Sequence, residues 1–382
     1  MDRRDFVKIG GMLAATAAPL SAIHGIRSTR IYDDLNGAVN LTNDGLGLTP
    51  EEYSNQLMKL ADEGKIKADY YSNGGVVEEL EYKFAQLLGK EAAVFMPTGT
   101  LANQMAARQL AGNAKRVIVQ EQSHFYNDTG DCAQTLSGLN LIPLGLNAVE
   151  FTLEEVMNTV ARTKGGRVLT KVGVISIETP VRRKHDQISS FDNMKIISDY
   201  ARSEDIKMHL DGARLFVQSA HTGDSPAKYG SLFDTVYTSL WKCFNAASGA
   251  ILAGSNGFSK DLFHVRRMFG GGLPYTWPFA AIALYYADGF IDEYKTAYAS
   301  AEKFFNKISV DDRIKIQRFE NGTHIVKIVI NHPDLNRIKQ ILEKRNIMMG
   351  APDKDGFIIK INPSFNREST DYISESFLEA LK

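Results

Sequence analysis

Three observations predict an α/β fold, with one large, mostly parallel sheet and a smaller α+β layer after it. Short apolar runs alternate with stretches of helical period, the pattern of parallel strands joined by crossover helices. Several of those runs end in a single charged or polar residue, as a buried strand does when it delivers one functional group to the edge of a sheet. The 382 residues, 44% hydrophobic and 23% charged, bury a sizeable core but exceed one compact unit of ordinary size. The expected division is a leader and linker over 1–30, a large domain over 31–290 and a small C-terminal domain over 291–382.

The leader reads as a twin-arginine export signal. Arg3 and Arg4, with Phe6 and Lys8, precede a Gly- and Ala-rich run from Ile9 to Ala22. Cleavage is expected around Ala18 to Ala22 and the destination is the periplasm, a cytoplasmic protein with a basic tail being the alternative. The run is too short for a membrane span and has no neighbouring cysteine for a lipid anchor, so no stable membrane attachment is expected after cleavage. That route exports folded proteins, which suits an enzyme that loads a cofactor before it leaves.

Polar sequence from Tyr32 to Asp44 comes next, then a helix after Thr49, marked by Pro50 in its first turn and Glu51 and Glu52 behind it. The loop Asp69–Gly75 leads to Val77, Leu80, Phe84, Leu87 and Leu88 at helical spacing, with Gly89 as the stop. Ala92–Phe95 reads as a buried strand that runs into PTGTLANQ, Pro97 to Gln104, where a helix begins at Gly99 and Thr100. Strands are expected at Val117–Val119, Leu139–Leu144 and Val172–Ile177, with helices over Leu153–Arg162 and Met194–Ala201. After a helix-rich stretch containing Phe279–Tyr286, the small domain is read as a strand from Ile325 to near His332, a helix over Leu335–Leu342, a strand over Gly356–Ile361 and a helix over Ser369–Leu381.

The chemistry concentrates between His209 and Lys242, in HLDGAR and TSLWK. An acid, an arginine and a lysine on one rim suit pyridoxal phosphate, which needs an amine to hold it as a Schiff base and a carboxylate to keep its pyridine nitrogen protonated. Lys242 and Asp211 are the candidates, and Arg214 is assigned to the ring's phenolic oxygen. The first turn at Gly99 and Thr100 offers unpaired N–H groups and a hydroxyl to a phosphate. His124, a few residues past a strand end, is the ring expected to stack on the cofactor and to relay a proton. The strand ending at Ile177 places Glu178, Thr179, Arg182 and Arg183 at the same edge, where one of the arginines could take a substrate carboxylate. Cys132 and Cys243 lack metal-site spacing, and Cys243 reads as a packed thiol. A net charge of -1 gives no footprint for nucleic acid.

With PTGTLANQ, EQSH, HLDGAR and the S-x-x-K of Ser239 to Lys242 in order, the chain resembles the threonine aldolase and β-eliminating lyase group of pyridoxal phosphate enzymes, fold type I, over residues 70 to 290. The resemblance implies Lys242 as the Schiff-base lysine, Asp211 at the pyridine nitrogen, Arg214 at the phenolic oxygen, His124 stacked, and Gly99, Thr100 and Ser239 among the groups holding the cofactor. It also implies a homodimer or a dimer of dimers, an amino acid substrate, and cleavage of a β-hydroxy amino acid to glycine and an aldehyde. β-Elimination to pyruvate and ammonia, racemisation, and cofactor binding without turnover are the alternatives.

The chain departs from that pattern where specificity is set. Leu41, Thr42, Asn43, Asp44 and Gly45 stand where a Ser-Asp-Thr stretch is usual, and Gly270, Gly271, Gly272, Leu273 and Pro274 stand where a Gly-Gly-Gly-Met-Arg run is usual. Near the C-terminus Lys360 is the nearest cation to an expected carboxylate-binding arginine, and a lysine does not reproduce a two-pronged guanidinium contact.

Overall fold

The computed structural model describes residues 37–382, so the export signal and its cleavage region lie outside the described residues. Twelve strands punctuate the described chain: β1 (Val39–Asn40), β2 (Ala92–Met96), β3 (Arg116–Gln120), β4 (Asn140–Leu144), β5 (Val172–Glu178), β6 (Lys207–Asp211), β7 (Thr235–Ser239), β8 (Ala250–Gly254), β9 (Ile314–Arg318), β10 (Ile325–Ile330), β11 (Ile347–Met348) and β12 (Gly356–Lys360).

Seven of them form the main sheet in the order β2-β8-β7-β6-β5-β3-β4. From β7 to β4 the pairings are parallel, joined by helices such as Leu153–Lys164 and Phe191–Ser203. The second of these is longer than its apolar spacing suggests, because Ser190 caps it upstream by accepting from the Asn193 N–H. β8 was not expected, and it runs antiparallel to both β2 and β7. Its five buried residues, Ala250 to Gly254, are joined to β7 by residues 240–249 alone, a connection too short for a helical crossover. Two reversals restore direction at β2, so β2, β3, β5, β6 and β7 all end on one edge, at Met96, Gln120, Glu178, Asp211 and Ser239. That edge is where ligands bind in open α/β sheets.

The C-terminal layer is the antiparallel sheet β12-β10-β9 with its own apolar core. Two features cross the expected boundary at residue 290. Helix Phe290–Ile308 puts Phe290 and Tyr294 into the large core and Ala297, Phe304 and Ile308 into the C-terminal one. β1, upstream of the large sheet, pairs in parallel with β11, and Val39 and Leu41 are buried in the C-terminal core. No described helix is long and apolar enough to cross a membrane.

Candidate active site

A cavity of about 310 Å³ opens at the strand-end edge, lined by Gly99, Thr100, His124, Glu178, Arg182, Asp211, Arg214, Tyr237, Trp241 and Lys242 among others. It adjoins a second lobe of about 680 Å³ that shares Arg182, Arg214, Trp241 and Lys242 and adds Asp44, Tyr53, Asn245 and Lys360. Six of the seven site residues read from the sequence therefore surround one space. Ser239 is the exception: it caps the turn Leu240–Cys243 that carries Lys242, but it is fully buried behind the cavity wall and its hydroxyl has no hydrogen-bond partner.

Each wall has a local cause. β2 ends at Met96, and helix Gly99–Ala111 starts immediately, capped by Thr98, whose Oγ1 accepts from the Leu101 N–H at 3.2 Å. Ala102 donates to the Thr98 carbonyl, which leaves the N–H groups of Gly99 and Thr100 as the donors of that turn not used by the helix. Gly99 is required for a reason beyond anion approach, since a Cβ there would collide with the Tyr237 hydroxyl. Lys242 lies three residues past the end of β7, on a one-turn helix rather than on the strand itself. Burial, then the nearby charge of Arg214, holds its ammonium below the usual lysine range, favouring the free amine that a carbonyl condensation needs. The Trp241 ring lies 5.6 Å from Lys242 Nζ and is 54% exposed.

Asp211 ends β6 almost fully buried, and its ionised form is served by a chain of polar groups absent from the sequence reading. Asn103 Nδ2 donates to Asp211 Oδ2 at 2.5 Å, and Asn103 Oδ1 lies 2.9 Å from His209 Nε2. The amide oxygen can only accept, so His209 carries its proton on Nε2 and accepts from Thr235 Oγ1 on Nδ1, at 2.8 Å. Burial pushes the His209 imidazole down to about 4, so this relay is neutral and reaches Asp211 through hydrogen bonds alone. Asn103 lies four residues after Gly99, one helical turn deeper; that spacing was the available signal.

His124 opens the turn His124–Asn127, and burial lowers its pKa below the ordinary imidazole value. Glu178, at the end of β5, holds that turn in place. Its Oε2 accepts from the His124 N–H at 2.5 Å and its Oε1 from the Arg182 N–H at 2.9 Å. Burial and the neighbouring Asp211 raise its pKa. Arg182 and Arg183 both reach Asp128, at 2.9 and 2.8 Å, and of the two only Arg182 lines the cavity.

Arg214 lines the cavity but is held from behind. Asp44 takes its Nε and Nη2 at 3.0 and 2.9 Å, and Asp186 Oδ2 is 3.3 Å from Nε. Asp44 also meets His324 Nε2 at 2.9 Å and Lys360 Nζ at 2.8 Å, both from the C-terminal layer. Burial opposes the Asp44 charge, but Arg214, His324 and Lys360 together hold its pKa well below the carboxylate range. Asp44, Asp186 and His324 could in principle ligate a cation, yet Arg214 and Lys360 already occupy their charge.

Comparison with known proteins gives one consistent result. The family model described as β-eliminating lyase matches residues 55–331. A low-specificity L-threonine aldolase of Candida albicans is 27% identical over 334 residues, covering 85% of this chain and 86% of the relative. A solved structure from an Exiguobacterium species, assigned as an aromatic amino acid β-eliminating lyase/threonine aldolase, superposes with a TM-score of 0.75 at 24% identity, covering 92% of this chain and 99% of the other. One from Listeria monocytogenes, assigned as an L-allo-threonine aldolase, superposes with a TM-score of 0.72 at 24% identity, covering 92% and 97%.

Proposed function

The chain belongs to the β-eliminating lyase family, and on that premise we propose that it is a pyridoxal phosphate enzyme that cleaves a β-hydroxy amino acid to glycine and an aldehyde. The observation that carries the reading is the meeting of Lys242, Asp211, His124 and the Gly99–Thr100 turn around one cavity. The donor set fits the cofactor: an amine with a lowered pKa, a buried carboxyl group positioned by a neutral relay, and two free N–H groups at the start of a thirteen-residue helix. Bound there, pyridoxal phosphate supplies a ring that accepts electrons from the substrate Cα.

The protein's part is to position groups and to move protons. With the cofactor bound, the Asp211 carboxylate would face the pyridine nitrogen and the Gly99 and Thr100 N–H groups would hold the phosphate. His124 is kept neutral by burial, so its imidazole can take the proton of the β-hydroxyl as the Cα–Cβ bond breaks and the aldehyde leaves. The electron pair left at Cα then takes up a proton, which Lys242 would deliver as an ammonium after taking it from the substrate's own amino group. Threonine then yields glycine and acetaldehyde.

Incubating the holoenzyme with L-threonine, with L-allo-threonine and with a β-substituted alanine tests this. Acetaldehyde with glycine supports the reading; pyruvate with ammonia replaces it with β-elimination; loss of optical rotation alone replaces it with racemisation. The reading also includes assembly as a dimer or tetramer, supported by the exposed Trp241, Met268 and Tyr275, and checked by sedimentation. It further includes twin-arginine export to the periplasm, supported by Arg3 and Arg4 and checked by fractionating cells before and after Arg3 and Arg4 are changed to lysine.

A further inference from the structure

An amino acid substrate brings its own carboxylate into the cleft, and the geometry points to Arg182 as the side chain that holds it. This rests on the amino acid chemistry proposed above but not on which bond is broken. Four cationic side chains line the joined cavities: Arg182, Arg214, Lys242 and Lys360. Lys242 is committed to the cofactor. Arg214 spends Nε and Nη2 on Asp44 and stands beside Asp186, while Lys360 is also paired with Asp44. Those two cations and two carboxylates form a closed, charge-balanced set.

Arg182 is in the opposite condition. Its Nη1 meets Asp128 Oδ2 at 2.9 Å, but Arg183 Nη1 takes the other oxygen of the same carboxylate at 2.8 Å. Two guanidiniums on one carboxylate leave a positive charge unmatched, and Arg182 is the member of the pair that lines both lobes. Its side chain is 52% exposed, so pairing with an incoming anion requires little desolvation. Among the described contacts its Nε and Nη2 have no acceptor, and a guanidinium presents such donors as a fork that matches a carboxylate. Its backbone is fixed by the Glu178 carboxyl that also fixes His124, so one side chain sets the spacing between the anion site and the imidazole. The rival is Lys360, where the family resemblance places the carboxylate-binding cation.

The test is equilibrium titration of the purified holoenzyme, followed through the absorbance of the bound cofactor, with glycine and with glycinamide. The two share an amine and differ in the carboxylate. The wild-type protein should prefer glycine. Arg182→Ala should weaken glycine by about 100-fold, the order expected for losing a two-pronged charge-assisted contact, while leaving glycinamide binding unchanged. Arg182→Lys should fall between, and Lys360→Met should keep the preference. Arg183→Ala should also weaken glycine, because Asp128 then neutralises Arg182; a purely structural role predicts no such effect. If Arg182→Ala does not fold, Arg182→Lys and Arg183→Ala carry the test. The assignment is overturned if Lys360→Met abolishes the preference, if Arg182→Ala weakens both ligands equally, or if the wild-type protein does not distinguish them. Failure of threonine to yield acetaldehyde would count against the aldolase reading alone, since glycine recognition needs no turnover.

Discussion

Replacing Asp44 by asparagine should destabilise the protein by about 3 kcal/mol at neutral pH. The carboxylate is 4% exposed and receives Arg214 through two bonds, His324 through one and Lys360 through another. The amide keeps the shape and removes the charge, so Arg214 and Lys360 are left with Asp186 alone. Stranding a buried charge costs about 3–5 kcal/mol, and the lower end applies here because Lys360 is 24% exposed and can turn to water. Against a total stability of about 5–15 kcal/mol this is a large fraction. Urea denaturation should show a midpoint lower by roughly 1 M for an m-value near 3 kcal/mol/M. The pH dependence fixes the cause. The folded-state pKa of Asp44 lies below its unfolded value of 3.8, so its contribution is fully present above that value and is lost as the pH falls through the folded one. The gap between wild type and variant should therefore be constant from about pH 8 to pH 5 and narrow below pH 4. A gap under about 1 kcal/mol at pH 7, or one that widens on acidification, would refute the charge argument.

Three further outcomes are expected. Lys242→Ala should bind pyridoxal phosphate without a borohydride-fixable bond and lose turnover; a fixed adduct on the variant would show that another lysine holds the cofactor. Gly99→Ala should weaken cofactor binding because the new Cβ meets both the Tyr237 hydroxyl and the ring carbon that carries it, so Tyr237→Phe in the same chain should recover little of the loss; an unchanged cofactor affinity in Gly99→Ala would refute the clash. Burial pushes the half-buried Glu81 carboxyl from 4.5 up to about 7, although the Phe95 N–H donates to it at 2.7 Å. Its stability contribution is complete below pH 4.5 and declines as the pH rises through 7, so Glu81→Gln should gain on the order of 3 kcal/mol at pH 8.5 and nothing below pH 4.5, as read from urea midpoints.

The parts of the cavity legible in the sequence are those made by local rules. A strand that stops at a polar residue announced Asp211, and a glycine followed at once by good helix formers announced the Gly99–Thr100 turn. The illegible parts depend on what those elements later pack against. β8 is five buried residues whose direction is set by its short link to β7, which periodicity does not register. β1 is two residues long and exists because β11 is there to pair with it. Asn103 reads as an ordinary helix residue until β6 places Asp211 and His209 against it. Glu178 stood at the expected edge, but its use of both oxygens to hold two backbone turns follows from the approach of β3 and β5.

Asp44 shows most clearly why such a site cannot be assembled from motifs alone. It lies in a polar stretch before the first helix, and its partners are 170, 280 and 316 residues away. Arg214 belongs to the cofactor edge of the large sheet, whereas His324 and Lys360 come from the small one, so a single carboxylate ties the guanidinium at the cavity to both layers. Any movement of the C-terminal sheet that draws Lys360 or His324 from Asp44 must change the electrostatic surroundings of Arg214, and with them those of Lys242, whose amine is already biased by the Arg214 charge. The electrostatic surroundings of Lys242 are in this way coupled to a sheet that reaches the cavity through Lys360. Arg182, fixed by Glu178 and paired through Asp128 to the large domain alone, stays outside that coupling.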